Sequence, residues 1–168
     1  MGRMLKVAGL VLALFLVAKY VVFREGAVAS VLNEMNVALY GEGNAIKACD
    51  FLTRDFEFKA VGHRRPSPFS QGNREETCNF FGVVALPFKS GDVTAEVRMD
   101  KLHVEVDPLS WNTARVTFTS TADMRFANVG GYQLVSEDEV TLVRTLADGY
   151  KIKAWQSRIV HEQGGRFY

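Results

Sequence analysis

Hydrophobic residues recur along this chain with three successive periods. Residues 4–23 (MLKVAGLVLALFLVAKYVVF) form an almost unbroken apolar run, with Lys6 and Lys19 near its ends. Val28, Val31, Leu32, Met35 and Leu39 then fall at helical spacing and predict an amphipathic helix. Gly41 and Gly43 are expected to end it. Asn44 suits the cap of a second helix with Ile46, Cys49 and Leu52 inward. Phe56-Glu57-Phe58 alternates as a short strand. Residues 63–73 (HRRPSPFSQGN) have the chemistry of a loop. Asn73 and Glu76 suit a capping box for a third helix with Cys78, Phe81 and Ala85 on one face. Pro87 is expected to stop that helix.

After Pro87 the period becomes two. Val93, Ala95, Val97 and Met99 alternate with polar residues, and then the phase flips to Leu102, Val104 and Val106. Such a slip is produced by a β-bulge inside one long strand, or by a tight turn at Asp100-Lys101. Val116, Phe118, Ser120, Ala122, Met124 and Phe126 make the next alternating set, which Gly130-Gly131 breaks. Residues 134–146 and 150–161 predict two more strands, joined by a hairpin at Ala147-Asp148-Gly149. Three helices followed by strands imply an α+β domain over residues 26–168 with an antiparallel sheet, preceded by a leader over residues 1–25.

The leader changes the picture most. Twenty helical residues span about 30 Å, one bilayer core. Lys6 and Lys19 can snorkel toward head groups, and Tyr20 sits where interfacial aromatics are common. Ala27-Val28-Ala29 fits a signal-peptidase site, but Lys19 to Arg24 would make an unusually long bridge to it. A retained transmembrane helix is therefore expected. Arg3, Lys6 and the amino terminus on one side, against Lys19 and Arg24 offset by Glu25, lean toward an internal N-terminus. The expectation is a single-pass inner (or plasma) membrane protein with its domain on the periplasmic or extracellular side.

Composition adds limits. An apolar fraction of 48% with 23% charged residues is that of a folded protein. Of 20 basic residues Arg3, Lys6 and Lys19 lie in or before the apolar run, so residues 24–168 carry 17 basic against 19 acidic residues, a net −2. Nucleic-acid binding needs a basic face, and no long basic run exists, so that class is set aside. Cys49 and Cys78 lack metal or redox spacing. They are either a disulfide, if the domain is exported, or two small buried apolar residues. No complete catalytic or metal motif is present, and no cofactor is implied.

The element order resembles the nuclear-transport-factor-2-like superfamily, a cone of helices closing a strongly curved sheet. Asn36-Val37-Ala38-Leu39-Tyr40-Gly41-Glu42-Gly43-Asn44 is similar to the family's first-helix ending. Phe51-Leu52-Thr53-Arg54-Asp55-Phe56-Glu57-Phe58 is similar to its second helix running into the first strand, and residues 147–152 to its last hairpin. The resemblance covers roughly residues 26–162 and implies a conical pocket. It places the isomerase-type base at Ala60 and the oxyanion-stabilising tyrosine at Asn36, so the family's usual isomerase or dehydratase chemistry is not expected.

Asn36, Tyr40, Asp138, Gln156 and Arg158 are the candidates for lining a pocket. Asp138 shares strand parity with Val140 and Leu142, although Glu137-Asp138-Glu139 also reads as a solvated acidic stretch. Gln156 and Arg158 share parity with Tyr150, Ile152 and Ala154, and face either the cone or the outside. His63, His103 and His161 read as solvated. The leader and the missing base favour a membrane-tethered, non-enzymatic scaffold or accessory subunit, with bilayer lipid, other membrane-complex proteins and further copies of itself as partners. The alternative is a small-molecule-binding or lyase/isomerase-like domain that uses the cone. An open cone would favour the alternative, and a filled one the scaffold.

Overall fold

The computed structural model describes residues 23–61, 70–107, 109–110, 112–127, 130–145 and 147–164, together with Gly9, Leu10 and Ala13. The proposed anchor otherwise lies outside the described residues, as do His63 and most of its loop. No helix among the described residues is long and apolar enough to cross a membrane. Phe23, the last residue of the apolar run, is buried in the domain core and meets Tyr150 edge-on, with ring centroids 5.6 Å apart.

Helix α1 (Glu25–Asn36) buries Val28, Leu32 and Met35, three positions of the expected stripe. It continues into a widened turn over Val37–Gly41, where the Glu42 N–H donates to the Val37 carbonyl at 2.8 Å. Single π-type turns of this kind insert one extra residue and are frequent at functional sites. Gly43 follows at φ +59°, and a Cβ there would stand 2.6 Å from the Lys89 Cβ, so only glycine allows this close approach.

Helix α2 (Ala45–Cys49) is capped by Asn44, whose side chain accepts from the Lys47 N–H at 3.0 Å. Two expectations fail here. Ile46 is 80% exposed, and Leu52, although buried as expected, already belongs to strand β1 (Leu52–Val61) rather than to the helix. With five residues the helix has one inward face, taken by Ala48 and Cys49, and at about 100° per residue Ile46 swings outward.

A three-residue strand β2 (Gln71–Asn73) occupies part of the segment expected to be loop. Helix α3 (Arg74–Ser90) opens on the expected capping box: Asn73 Oδ1 accepts from the Glu76 N–H at 3.1 Å, and Glu76 Oε2 accepts from the Asn73 N–H at 2.9 Å. Pro87 does not stop it. The helix runs through to Ser90 and ends at Gly91, which is left-handed at φ 80°. Proline removes one backbone donor, but the last turn is held by packing, with Phe88 edge-on to Tyr40 at 5.3 Å and Lys89 on Gly43. Cys49 and Cys78 form a disulfide with Cα atoms 5.7 Å apart, joining α2 to α3.

Strands β3 (Val93–Val106), β4 (Thr113–Phe126), β5 (Gly130–Thr145) and β6 (Gly149–Gly164) complete a six-stranded sheet in the order β2-β1-β6-β5-β4-β3. β3 is one strand with a bulge: pairing to β4 shifts between Asp100 and His103, and Lys101 sits at φ 55°. The tight-turn alternative is thereby excluded.

The sheet is mixed rather than purely antiparallel. β1 runs parallel to β6, with Phe58 opposite Trp155 and Ala60 opposite Ser157. These are the first and last long strands, so no hairpin constrains their direction. Together the elements make an α+β fold with a curved sheet closed on one side by helices. One end of the sheet's inner face is filled: Ala114, Val116, Val140, Leu142 and Ile152 are fully buried under Val28, Leu32 and Leu39. Each such leucine or isoleucine contributes about 1.5–3 kcal/mol by burial.

Candidate functional site

At its other end the inner face is not filled. A cavity of about 180 Å³ lies between the sheet, the end of α1 and one face of α3. From α1 and its widened turn come Met35, Asn36, Leu39 and Tyr40. α3 supplies Thr77, Phe80 and Phe81, and the sheet supplies Phe56, Phe58, Val97, Leu134, Asp138, Trp155 and a set of serines. Three of the five pocket candidates, Asn36, Tyr40 and Asp138, therefore meet in one cone.

Asp138 is its centre. The side chain is 5% exposed and both carboxylate oxygens accept hydrogen bonds. Ser136 Oγ donates to Oδ2 at 2.7 Å, and Trp155 Nε1 donates to Oδ1 at 2.9 Å. A carboxylate has about four acceptor sites on its two oxygens, so these two donors leave capacity for more. Burial, and after it the charge of Asp138, raise the pKa of the Tyr40 hydroxyl above its ordinary value, so this phenol stays protonated and can donate. On the helical wall, Thr77 is 1% exposed and its hydroxyl has no hydrogen-bond partner among the described residues.

Pairing across the sheet explains where the acid sits. Ala60, Ser157, Asp138 and Phe118 are successive partners in one row running across β1, β6, β5 and β4. The position expected to hold a base is alanine. A carboxylate stands two strands further along the same row, about 10 Å away at normal strand spacing. The expectation against acid–base chemistry rests on Ala60 at the base position and Asn36 at the oxyanion position; Asp138 puts a carboxylate in the cone, while Asn36 still stands where the tyrosine would.

Gln156 and Arg158 do not line the cone. Pairing of β5 with β6 shifts between Leu142–Ile152 and Thr141–Ala154, which leaves Lys153 as an extra residue. The shift reverses parity, so beyond it Trp155 and Ser157 face inward while Gln156 and Arg158 are exposed on the outer face. There Arg158 ion-pairs with Glu137, and that hydrogen bond and charge raise its pKa further. Larger depressions, of about 560 and 810 Å³, lie on this outer face and are lined by ion-paired side chains, Arg158 with Glu137 and Arg98 with Asp123. The first also touches Asp138 and Ser157, but the side chains that pair in it, Glu137 and Arg158, are exposed. His103 and His161 are exposed, as expected. Sequence reasoning misses Trp155 and Thr77: the bulge hides the first, and the second sits at an ordinary helical position.

No protein-family profile matches the chain, and no curated protein matches it. Solved structures do. A scytalone dehydratase-like protein of Novosphingobium aromaticivorans superposes with a TM-score of 0.66 at 13% identity, over 84% of this chain and 87% of that one. An aromatic ring hydroxylase-like protein of the same organism gives 0.64 at 13%, over 83% and 92%. A nuclear transport factor 2-like superfamily protein of Salmonella enterica gives 0.59 at 11%, over 85% and 92%. At these identities the likeness shows the fold alone, and the fold is nuclear-transport-factor-2-like.

Proposed function

We propose that this chain is a small-molecule-binding domain that uses the cone as its ligand site, with lyase-like proton transfer within the reach of its chemistry. The observation that carries this is the buried Asp138 carboxylate at the floor of an open, aromatic-walled cavity, with Tyr40 and Asn36 on the facing wall. A structural core has no use for an open space beside a buried carboxylate, because both cost stability. The dehydratase-like and hydroxylase-like structural neighbours support the same reading at the level of architecture. The open cone favours it over the accessory-subunit reading.

Ligand-observed NMR with a panel of single-ring compounds tests the site. Ser120→Phe fills the cavity without replacing Asp138 and is expected to abolish binding while leaving the fold intact. Unchanged binding in that variant would place the ligand elsewhere and end the proposal.

We also propose that the leader before Phe23 tethers the domain as a single-pass anchor, with the domain on the periplasmic or extracellular side. The apolar run supports this, and so does the Cys49–Cys78 disulfide, a bond that persists in oxidising compartments. A reporter fused after Tyr168 should be active outside the cytoplasm. Activity confined to the cytoplasm reverses the topology, and a mature N-terminus at Ser30 refutes the anchor.

A further inference from the structure

The charge balance of the cone narrows its ligand. Asp138 is buried, and its two hydrogen bonds come from a hydroxyl and an indole N–H, both neutral donors. Among the described residues lining the cavity there is no lysine, arginine or histidine. No ion pair to Asp138 exists among the described residues, although Arg115 pairs with the adjacent Glu139 and Arg158 with Glu137 on the outer face. The three consecutive acids thus have different surroundings: two pair with arginines on the outer face, and the one turned inward has no cationic partner among the described residues. A buried carboxylate without a counter-charge is costly unless a ligand completes it.

The walls favour a positive occupant as well. Tyr40, Phe56, Phe58, Phe80, Phe81 and Trp155 present aromatic rings to the same space. Aromatic faces attract organic cations within about 6 Å of the ring centroid, more strongly where water is excluded. Asn36 remains to hold an ammonium proton that Asp138 does not take. The cavity has about 180 Å³, and a cavity of about 150 Å³ accepts a benzene ring, so one ring with a short side chain fits.

We propose that the cone binds a small organic ammonium ion, a single-ring or branched alkyl amine whose cationic head is seated on Asp138 and whose apolar body lies among the aromatic side chains. This rests on the ligand-site reading above and specifies its ligand class.

Two nearly isosteric probes separate the alternatives. Calorimetric titration of the full chain in detergent at pH 7 would compare benzylamine, which is a cation there, with benzyl alcohol, which offers the same ring and a neutral donor. Benzylamine should bind tighter by about tenfold or more, the scale of a charge-assisted over a neutral hydrogen bond. Asp138→Asn should erase that ratio by weakening benzylamine more than benzyl alcohol. If Asp138→Asn fails to fold, the wild-type ratio decides alone. Equal affinities, or a preference for the alcohol, overturn the ammonium assignment but leave the cone as a ligand site. Absence of binding by every probe sinks the ligand-site reading and this inference together.

Discussion

The two ends of the sheet's inner face are built from the same strands yet do opposite things. Along β4 the inward residues run Ala114, Val116, Phe118 and then Ser120, Ala122. Along β5, read in the opposite chain direction, they run Leu142, Val140 and then Asp138, Ser136, Leu134. At one end large apolar side chains meet α1 and are fully buried. At the other, small or polar side chains leave a space and place a carboxylate beside it. Backbone pairing is continuous across the change, since β4 and β5 keep one register from Thr113–Val143 to Phe126–Gly130. Between β4 and β5, side-chain volume and polarity therefore separate core from pocket on a continuous support, which holds a site in place without weakening the strands that carry it.

That contrast can be broken most sharply at the filled end. Leu142→Ala should cost about 2–5 kcal/mol, because the side chain is fully buried and its cavity cannot be shared with the cone. Urea denaturation measures this, and a cost under about 1 kcal/mol would mean that the two ends are not distinct. Reducing Cys49–Cys78 should cost about 2–4 kcal/mol. The loss should be felt at the cone first, since the bond ties down α3, which carries Thr77, Phe80 and Phe81. Hydrogen exchange should rise in α3 before it rises in β4 and β5, and a uniform rise would contradict this.

Ser136→Ala removes one of the two donors to Asp138. A hydrogen bond to a charged group contributes about 1.5–3 kcal/mol, and the loss should be at the lower end because the small cavity can admit water. Thermal unfolding of the variant would register it.

The smallest effect concerns Tyr40. Its pKa is raised in the folded state, so above about pH 10 the unfolded chain releases this proton before the folded chain does. Stability should therefore fall with rising pH through that range, and Tyr40→Phe should make the fall shallower. An unchanged alkaline slope would show that Tyr40 is not buried against Asp138.

Much of this is legible in the chain. The stripe of α1, the capping box at Asn73 and Glu76, and the phase flip at Asp100-Lys101 each carry a local physical signature, and each forms as that signature predicts. Asp138 can be placed inward by parity with Val140 and Leu142, because nothing interrupts β5 between them. The errors have a common cause. Parity with Ile152 leaves Gln156 and Arg158 as cone candidates, with the outer face as the alternative; an extra residue at Lys153 turns them outward, and β6 contains apolar residues at both parities that conceal it. Pro87 reads as a stop because its local cost is certain, whereas the contacts of Phe88 and Lys89 that outweigh it come from Tyr40 and Gly43, far away in the chain.

The sequence by itself determined the order of elements, the apolar leader, the caps and the face of each uninterrupted strand, because propensity and periodicity act over a few neighbouring residues. Only the tertiary structure decided that β1 runs parallel to β6, that the bulge at Lys153 sends Trp155 inward, and that Asn36, Tyr40, Thr77 and Asp138 share one cavity. These are consequences of pairing between strands distant in the chain, and of the closing of helices over a sheet. No local pattern encodes them, since each depends on what the facing element presents.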